Sequence, residues 1–435
     1  MDREMVYSGY EWLGDIPEDW TTCRTKNMFN FGKGLSITKD NLVGTGTPVI
    51  SYGQVHSKMN SGTALCNELI RFVSEKYLET NPESLVEEND FIFADTSEDF
   101  DGCGNCVFVD RSMRLFAGYH TIILRANNSA ENKYFAYLFK TDAWRSQIRS
   151  KVSGVKVFSI SRKILADTVL IVPSECDQRR IVDYLDCKCA VIDAVISKTN
   201  ATIEEYKKLK QSIIAEAVTK GIQHNRQMKP SGVAWTQKIP VNWSVIPSKY
   251  VFHNSDERKH EGDVLLTSSQ KHGIISQTEY MERENAKVVL ANKGLEDWKH
   301  VEPYDFVISL RSFQGGLEMS ETTGCITWHY IVLKPCREIC SDYYKWLFKS
   351  EVYIKALQRT CNFIRDGQDL RYSNFVQVPL VVPPIAEQKE IADYLDKKCA
   401  EIDTLISKKA ALLGELENYK KSIIYEYVTG KKEVQ

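Results

Sequence analysis

The sequence predicts an α+β protein built as a tandem repeat, in which two α+β domains each lead into a long helix. Three observations support this prediction. Residues 172–200 and 382–410 match one another closely, both segments continue in a helical heptad pattern, and the stretches before them contain short β-type runs. We therefore expect two long helices that pair as an antiparallel coiled coil, with a pseudo-twofold relation between the halves.

The composition is that of a soluble globular protein with more chain than one core needs. The chain has 435 residues, and 56 basic residues nearly balance 58 acidic ones, which leaves a net charge of −2. Any nucleic-acid site must therefore come from local charge. The 12 cysteines follow no disulfide framework, and neither a signal peptide nor an apolar run of membrane-spanning length is evident. These features predict a cytoplasmic protein with reduced thiols.

The repeat extends beyond the two helical segments. Gln178 matches Gln388, and SGYEWLGDIPEDW near the start matches SGVAWTQKIPVNW at 231–243. The order of matching segments is the same in both halves, while the loops differ in length. We therefore divide the chain into variable regions 1–171 and 222–381 and helical regions 172–221 and 382–435.

Both helical regions carry an apolar residue at alternating spacings of four and three. Such a seam needs a partner helix, and the obvious partner is the other copy. Polar residues occupy matching seam positions, Thr199 and Lys210 in one copy and Lys409 and Lys420 in the other, which would penalise slipped registers. The apolar seam residues are Ile192, Ile196, Ile203, Tyr206, Ile213, Ile402, Ile406, Leu413, Leu416 and Ile423.

The variable regions contain short β-rich runs separated by loops rich in Gly, Ser and Asn. Each region also contains one convincing helical pattern, near 131–150 and 341–360. The predicted strands lie at 48–55, 90–95, 120–125, 263–269, 305–310 and 330–334.

Catalytic motifs are mostly missing. The nearest string to an Asn-Pro-Pro-aromatic methyltransferase motif, at 81–84, lacks the second proline and the aromatic residue. FGKGLS at 31–36 resembles a cofactor loop only loosely, and no GxxxxGK[ST] phosphate loop occurs. An independent enzyme is therefore not expected.

Metal-binding patterns are incomplete. Cys103 and Cys106 have zinc-ligand spacing, but no second pair completes the site, so an ordinary glycine-rich loop is the alternative. The acidic residues before them do not have calcium-loop spacing. His120 and His329 occupy equivalent positions in the two halves, where either a structural role or a ligand role is open. No metal site is assigned.

Local charge is more informative than net charge. Six basic residues and no acidic ones lie between Arg145 and Lys163, whereas 79–101 contains nine acidic residues and no basic ones. A basic stretch recurs from Lys355 to Arg371 in the second half. Either a solvated helix face or a phosphate-binding surface explains one such run, and its recurrence favours contact with DNA.

The duplicated motifs resemble those of the DNA-specificity subunits of type I restriction-modification enzymes. The resemblance rests on the repeated VP...Q-x-x-I-x-x-YLD...ID-x-x-I-S-K segments, on the S-G-x-x-W...I-P-x-x-W openings, and on the strings at 267–275 and 310–316. It implies that 1–171 and 222–381 are target-recognition domains, each of which reads half of a split, asymmetric double-stranded DNA site.

The resemblance also implies partners. Two methyltransferase subunits that use S-adenosylmethionine dock on such a subunit, and restriction subunits that use ATP and Mg²⁺ join them, while the chain itself binds no cofactor and catalyses nothing. Two alternatives from other classes are a coiled-coil interaction protein without a nucleic-acid role and an undetected nuclease or metalloenzyme.

Candidate DNA-binding residues follow from residue type and loop context. Gln and Arg can pair with base edges through two hydrogen bonds, whereas Lys and Ser more often hold phosphates. The candidates in the first half are Ser51, Gln54, His56, Lys58, Lys151, Ser153 and Lys156. Those in the second half are Ser268, Ser269, Gln270, Lys271, His272, Arg311, Ser312, Gln314, Arg365, Gln368 and Arg371.

Overall fold

A computed structural model of the chain describes residues 4–127, 132–154, 156–285, 294–309, 312–360 and 370–434. The chain divides into two compact units. Unit 1 comprises Met1–Lys198 and Ala411–Gln435, and unit 2 comprises Thr199–Ala410. Each unit therefore combines one variable region with parts of both long helices. The predicted α+β class is confirmed.

Unit 1 contains a four-stranded antiparallel sheet and a five-stranded sheet. In the first, the strand order is Cys106–Phe108, Phe91–Ala94, Thr121–Ala126 and Phe29–Lys33. In the second, the order is Leu42–Val43, Arg71–Val73, Thr47–Ile50, Leu115–Ala117 and Leu85–Val86. Three strand pairs complete unit 1: Met5–Tyr7 with Asp15–Pro17, Thr96–Ser97 with Phe158–Ser159, and Val169–Val172 with Thr21–Arg24.

The helices of unit 1 other than the long ones are short. They span Thr25–Met28, Tyr52–Val55, Tyr77–Thr80, Lys133–Phe139, Asp142–Arg149 and Arg162–Ala166, with 3₁₀ turns at Lys39–Asn41, Asn67–Leu69 and Pro82–Ser84. Aromatic rings fill the core between the four-stranded sheet and two of these helices. The Phe139 ring lies 5.0 Å from Phe91 and 4.4 Å from Trp144, and all three side chains are buried.

Unit 2 repeats the four-stranded sheet of unit 1. Its order is Glu318–Met319, Phe306–Ile308, Ile331–Pro335 and Phe252–Ser255, again antiparallel. Its strand pairs are Met228–Val233 with Thr236–Pro240, Ser244–Ile246 with Leu380–Val382, Leu266–Ser269 with Gly273–Ser276, and Lys299–Val301 with Gly324–Ile326. Its shorter helices are Gln277–Glu284, Ser312–Gly315, Ser341–Lys349, Glu351–Gln358 and Tyr372–Phe375, with 3₁₀ turns at Ser248–Tyr250 and Leu295–Asp297.

Three details of the predicted secondary structure are wrong. The single helix expected near 131–150 is two helices, because Thr141 caps the second by accepting a hydrogen bond from Trp144 N at 3.2 Å. Ser350 divides the helix expected near 341–360 in the same way, accepting from Tyr353 N. The strand expected at 48–55 ends at Ile50, and a helical turn follows it.

The two long helices are the first long helix, Glu175–Lys220, and the second long helix, Ile385–Val428. Both begin at the duplicated motif, where Gln178 Nε2 donates to Pro173 O and Gln388 Nε2 donates to Pro383 O, each at 2.9 Å. The repeated glutamine therefore ties the start of each helix to the strand before it.

Within each unit the long helices run antiparallel, as predicted. In unit 1, Lys420 Nζ contacts Asp193 at 2.6 Å, and the Tyr184 and Tyr427 rings lie 4.4 Å apart. In unit 2, Lys210 Nζ contacts Asp403 at 2.7 Å. The two lysines that the heptad analysis placed in the seam thus form reciprocal ion pairs. The predicted apolar seam residues are all buried or half-buried.

The C-terminal end of each long helix also packs on the domain core of the unit in which that end lies. Tyr134 OH donates to Val428 O at 2.7 Å in unit 1, and the matching Tyr343 OH donates to Val218 O at 3.3 Å in unit 2. Both tyrosines are fully buried. The described part of the chain contains no helix with the length and apolar character needed to cross a membrane.

Candidate nucleic-acid interface

Two loops of unit 1 bring together two separate groups of predicted residues. The short strand Thr96–Ser97 is central to them. His56 Nε2 lies 2.8 Å from Thr96 O, while Ser97 pairs with Phe158 and Ser153 bridges to Ser159. The loop after Ile50 and the loop before Ile160 therefore both contact the strand pair Thr96–Ser97 with Phe158–Ser159. Lys58, Lys151, Ser153 and Lys156 are exposed there.

An aromatic cluster lies beside this strand pair and was not predicted from the sequence. The Tyr52 ring contacts Tyr119 and His120, both at 5.6 Å between ring centres. His120 has a positive φ of 54°, and its Nδ1 lies 3.2 Å from Asp95 Oδ1. His120 is the exposed member of this cluster, and Tyr52 and Tyr119 are half-buried. Aromatic rings at a loop edge can contact nucleic-acid bases or sugars. His329, the counterpart of His120, stacks on Trp328 in unit 2.

Gly34 of the FGKGLS string and Gly118, which it approaches, both act in packing. A Cβ on Gly34 would lie 2.1 Å from Gly118 O, and one on Gly118 would lie 2.1 Å from Ser51 Oγ. The backbone segments can approach this closely only because neither residue has a side chain. The string therefore serves the local fold of this region.

The structure corrects the predicted role of several candidate contact residues, because their side chains are buried or bonded within the protein. Ser51 and Ser312 are fully buried, so their hydroxyl groups cannot contact DNA in this conformation. Ser312 Oγ instead accepts a hydrogen bond from Ser309 N at 2.8 Å. Gln54 is half-buried, and its Oε1 accepts from Ser51 N at 3.1 Å, which stabilises the turn. His56 is held by Thr96 and by Asn105.

Two of the six basic residues between Arg145 and Lys163 are also internal. Arg145 Nε donates to Phe139 O at 2.8 Å, and Arg149 donates to Asp101 O at 2.7 Å and to Asp142. The four that remain exposed for phosphate contact are Lys151, Lys156, Arg162 and Lys163.

A cleft of about 910 Å³ in unit 1 contains an unusual lysine. Among the described residues, no side chain forms an ion pair or hydrogen bond with the ammonium group of Lys140. Burial, reinforced by the neighbouring charge of Lys420, lowers the pKa of Lys140 to about 8. Its counterpart in unit 2, Lys349, pairs with the buried carboxylate of Glu318.

In unit 2 the predicted residues centre on the hairpin Leu266–Ser269 and Gly273–Ser276. The turn residues Lys271 and His272 both contact Glu284 Oε1, at 2.6 and 2.7 Å. Lys271 remains exposed, whereas only 14 % of the His272 side chain is accessible. Ser268 and Ser269 are half-buried, and Gln270 is exposed.

The hairpin turn approaches the helix Ser312–Gly315. A Cβ on Gly315 would lie 2.6 Å from Gln270 Cδ, so the glycine permits this approach. Gln314 is exposed on the same helix, and Arg371 is exposed at the start of Tyr372–Phe375. Gln270, Lys271 and His272 also line a groove of about 780 Å³ together with Lys345 and Lys349. Arg311, Arg365 and Gln368 lie outside the described residues.

The Cys103 and Cys106 loop does not have the character of a zinc site. Both side chains are buried, and burial raises the pKa of both thiols, that of Cys106 to about 12. Among the described residues, neither thiol belongs to a group of three or more ligating side chains close enough to share an ion. The alternative of a packed glycine-rich loop agrees with these contacts.

The chain thus belongs to a class of duplicated proteins in which two α+β units share one scaffold and carry different polar loops. Residues 17–205 match the family model described as the type I restriction modification DNA specificity domain. The MjaX putative type I restriction enzyme specificity subunit of Methanocaldococcus jannaschii is 23 % identical, over 97 % of this chain and 96 % of the relative. The EcoKI specificity subunit of Escherichia coli is 18 % identical, over 97 % and 91 %.

Solved structures agree on the fold. A chain from a structure of a type I restriction-modification system superposes with a TM-score of 0.69 at 16 % identity, covering 96 % of this chain and 99 % of the other. The HsdS subunit from Thermoanaerobacter tengcongensis gives 0.50 at 17 % identity, covering 96 % and 98 %. Over nearly its whole length the chain is therefore similar to type I restriction-modification specificity subunits, and residues 17–205 match the DNA specificity domain of that family.

Proposed function

We propose that this chain is the DNA-reading subunit of a type I restriction-modification complex, and that each unit reads one half of a bipartite, asymmetric double-stranded site. One observation carries the proposal most strongly. The two units repeat the same four-stranded sheet order and the same contacts to the long helices, yet they carry different polar loops. A shared scaffold with different loops is what two independent base readouts require.

Within each unit we assign the contacts by exposure and chemistry. In unit 1, Lys58, Lys151, Ser153 and Lys156 are offered for phosphate contact beside the aromatic cluster of Tyr52, Tyr119 and His120. In unit 2, Gln270 and Gln314 carry amide groups that can pair with adenine edges, and Lys271 is placed for a phosphate. Arg311, Arg365 and Gln368 stay candidates from their residue type alone.

The long helices are proposed to dock two methyltransferase subunits. Apolar side chains are exposed on them, Val191, Val195 and Tyr419 in unit 1 and Leu209 and Leu405 in unit 2. Exposed apolar residues on otherwise polar helix faces are typical of subunit interfaces. The proposed complex binds S-adenosylmethionine on the methyltransferase subunits and ATP with Mg²⁺ on restriction subunits, while this chain binds none of them and performs no catalysis.

A gel-shift experiment tests the proposal. The purified chain, alone and with its methyltransferase subunits, is added to a pool of randomised duplex DNA, and the bound DNA is sequenced. We expect the complex to enrich one split motif and the chain alone to show no methyl transfer, nuclease or ATPase activity. Absence of any enriched motif from the complex would favour a coiled-coil interaction protein, and partner-free methyl transfer would contradict the non-catalytic role.

A further inference from the structure

A cluster of two histidines and one glutamate lies in unit 2. His300 N donates to Glu257 O at 2.9 Å, and Lys259 N donates to Trp298 O at 2.8 Å. These backbone bonds align the segment after strand Phe252–Ser255 with strand Lys299–Val301. One ligand atom from each of Glu257, His260 and His300 lies within 4.8 Å of the other two.

Asp263 contacts both histidines of this cluster and orients His300. Its Oδ2 lies 2.9 Å from His300 Nδ1 and accepts from His260 N at 2.8 Å. Only 4 % of either the Asp263 or the His300 side chain is accessible. A carboxylate that accepts a hydrogen bond from His300 Nδ1 keeps the proton on that nitrogen and so presents the Nε2 lone pair of His300.

The surroundings carry excess negative charge. The Lys334 ammonium contacts Glu257, Glu302 and Asp305 at 3.2, 2.8 and 3.3 Å. Three carboxylates therefore share the single charge of Lys334, and a fourth, that of Asp263, contacts the histidines. A divalent cation at the cluster would offset this charge, and Lys334 would keep Glu302 and Asp305 as partners if Glu257 turned towards the metal.

We propose that Glu257, His260 and His300 form a binding site for a transition-metal dication of the zinc type, with Asp263 as the group that orients His300. Two imidazoles and one carboxylate suit zinc and its neighbours, whereas magnesium and calcium take oxygen ligands. The His260 ring stacks on His300 with ring centres 3.9 Å apart, so His260 must turn for both histidines to bind one ion. The His260 and Glu257 side chains are 53 % and 41 % accessible, which leaves room for this rotation and for water as a further ligand. The metal would fasten the segment 257–263 to strand Lys299–Val301, and the site does not depend on the proposed DNA-reading role.

The first test is titration of the full chain with Zn²⁺ by calorimetry and with Co²⁺ by absorption spectroscopy. We expect one Zn²⁺ per chain, and Co²⁺ bands typical of nitrogen and oxygen ligands without a thiolate charge-transfer band. His260→Ala should abolish this binding, while His329→Ala, at an exposed histidine of the same unit, should leave it unchanged. Absence of binding, unchanged binding in His260→Ala, or a thiolate band from Co²⁺ at a cysteine site would each overturn the proposal.

A second variant tests the orienting role of Asp263. Asp263→Asn should weaken Zn²⁺ affinity about 10–100-fold, because mutation of such outer groups typically has this effect. Thermal unfolding of the metal-free variant is measured beside the wild type, so that affinity is compared only between folded samples. If Asp263→Asn does not fold, His260→Gln replaces it, for which loss of binding is expected. Wild-type affinity in either folded variant would contradict the proposed site.

Discussion

Units 1 and 2 differ at two pairs of matching residues whose surroundings the repeat does not preserve. Gln388 Nε2 donates to Pro383 O and its Oε1 accepts from Cys340 N, whereas Gln178 Oε1 is buried without a hydrogen-bond partner among the described residues. Lys349 pairs with Glu318, whereas Lys140 has no such partner among the described residues. Both pairs keep the residue type, and the glutamines also keep their hydrogen bond to the preceding proline. The groups around each residue have diverged between the two units.

The largest expected effect comes from changing the length of the paired helices. We propose that this length sets the unread spacer between half-sites. Deleting residues 200–206 together with 407–413 removes one heptad, about 10 Å of helix, and keeps the seam in phase. The preferred spacer should shorten by up to about three base pairs, since B-DNA advances about 3.4 Å per pair on each strand. Sequencing of methylated sites in cells that express the complex measures the spacer.

A deletion that is not a heptad provides the control. Removing two residues from each helix rotates the apolar seam away from its partner and should cost folding. An unchanged spacer at undiminished methylation in the heptad variant would show that helix length does not set the spacing.

The next largest effect is expected from substitution of the two matching glutamines, Gln178 and Gln388. Gln388→Met leaves both Pro383 O and Cys340 N without their partner, at a cost of about 1–3 kcal/mol for each buried group. Gln178→Met loses one hydrogen bond and also removes a buried oxygen that has no partner. We expect a larger decrease in the melting temperature for Gln388→Met, measured by circular dichroism. Equal decreases would mean that the extra hydrogen bond of unit 2 adds no stability.

A third comparison separates base contacts from phosphate contacts. If Gln270 pairs with a base edge, Gln270→Ala should cost about 1–3 kcal/mol and relax one position of the target. Lys156→Ala should weaken binding to all sequences alike. It should also reduce the slope of the logarithm of the binding constant against the logarithm of the salt concentration by about one. Fluorescence anisotropy with matched and mismatched duplexes at several salt concentrations distinguishes the two outcomes. Uniform weakening by Gln270→Ala would remove it from the base-reading set.

The smallest effect concerns the two matching lysines. Because burial lowers the pKa of Lys140 to about 8 in the folded chain, below the ordinary lysine value, the charged form destabilises the fold at neutral pH. Lys140→Met should therefore stabilise unit 1 by about 1–2 kcal/mol at pH 7. The wild type should recover stability relative to the variant as the pH rises through about 8 towards the ordinary lysine pKa.

Lys349→Met is the matched control in unit 2. It leaves the buried carboxylate of Glu318 without its partner and should destabilise that unit. Urea unfolding of both variants between pH 7 and 10 measures the comparison. A destabilising effect of Lys140→Met at pH 7 would contradict the assignment of Lys140 as a buried, unpaired charge.

The scaffold was predictable because its signals are local and periodic. The heptads placed Lys210 and Lys420 in the seam, and the repeat matched Gln178 with Gln388. Contacts between distant strands carry no such signal. His300 meets His260 only because strand pairing joins segments about 40 residues apart, and Ser51 follows a β-type run yet points into the core. The break at Thr141 had a local signal, since threonine is a common helix cap, but the apolar pattern continued through it.

Exchange of one variable region tests the central claim, independent readout by the two units, most directly. Residues 222–381 are replaced by the corresponding region of another specificity subunit, the complex is expressed with its methyltransferase subunits, and methylated sites are sequenced. We predict a new sequence in one half-site, with the other half-site and the spacer unchanged. Simultaneous change of both half-sites, or no change in either, would contradict the claim.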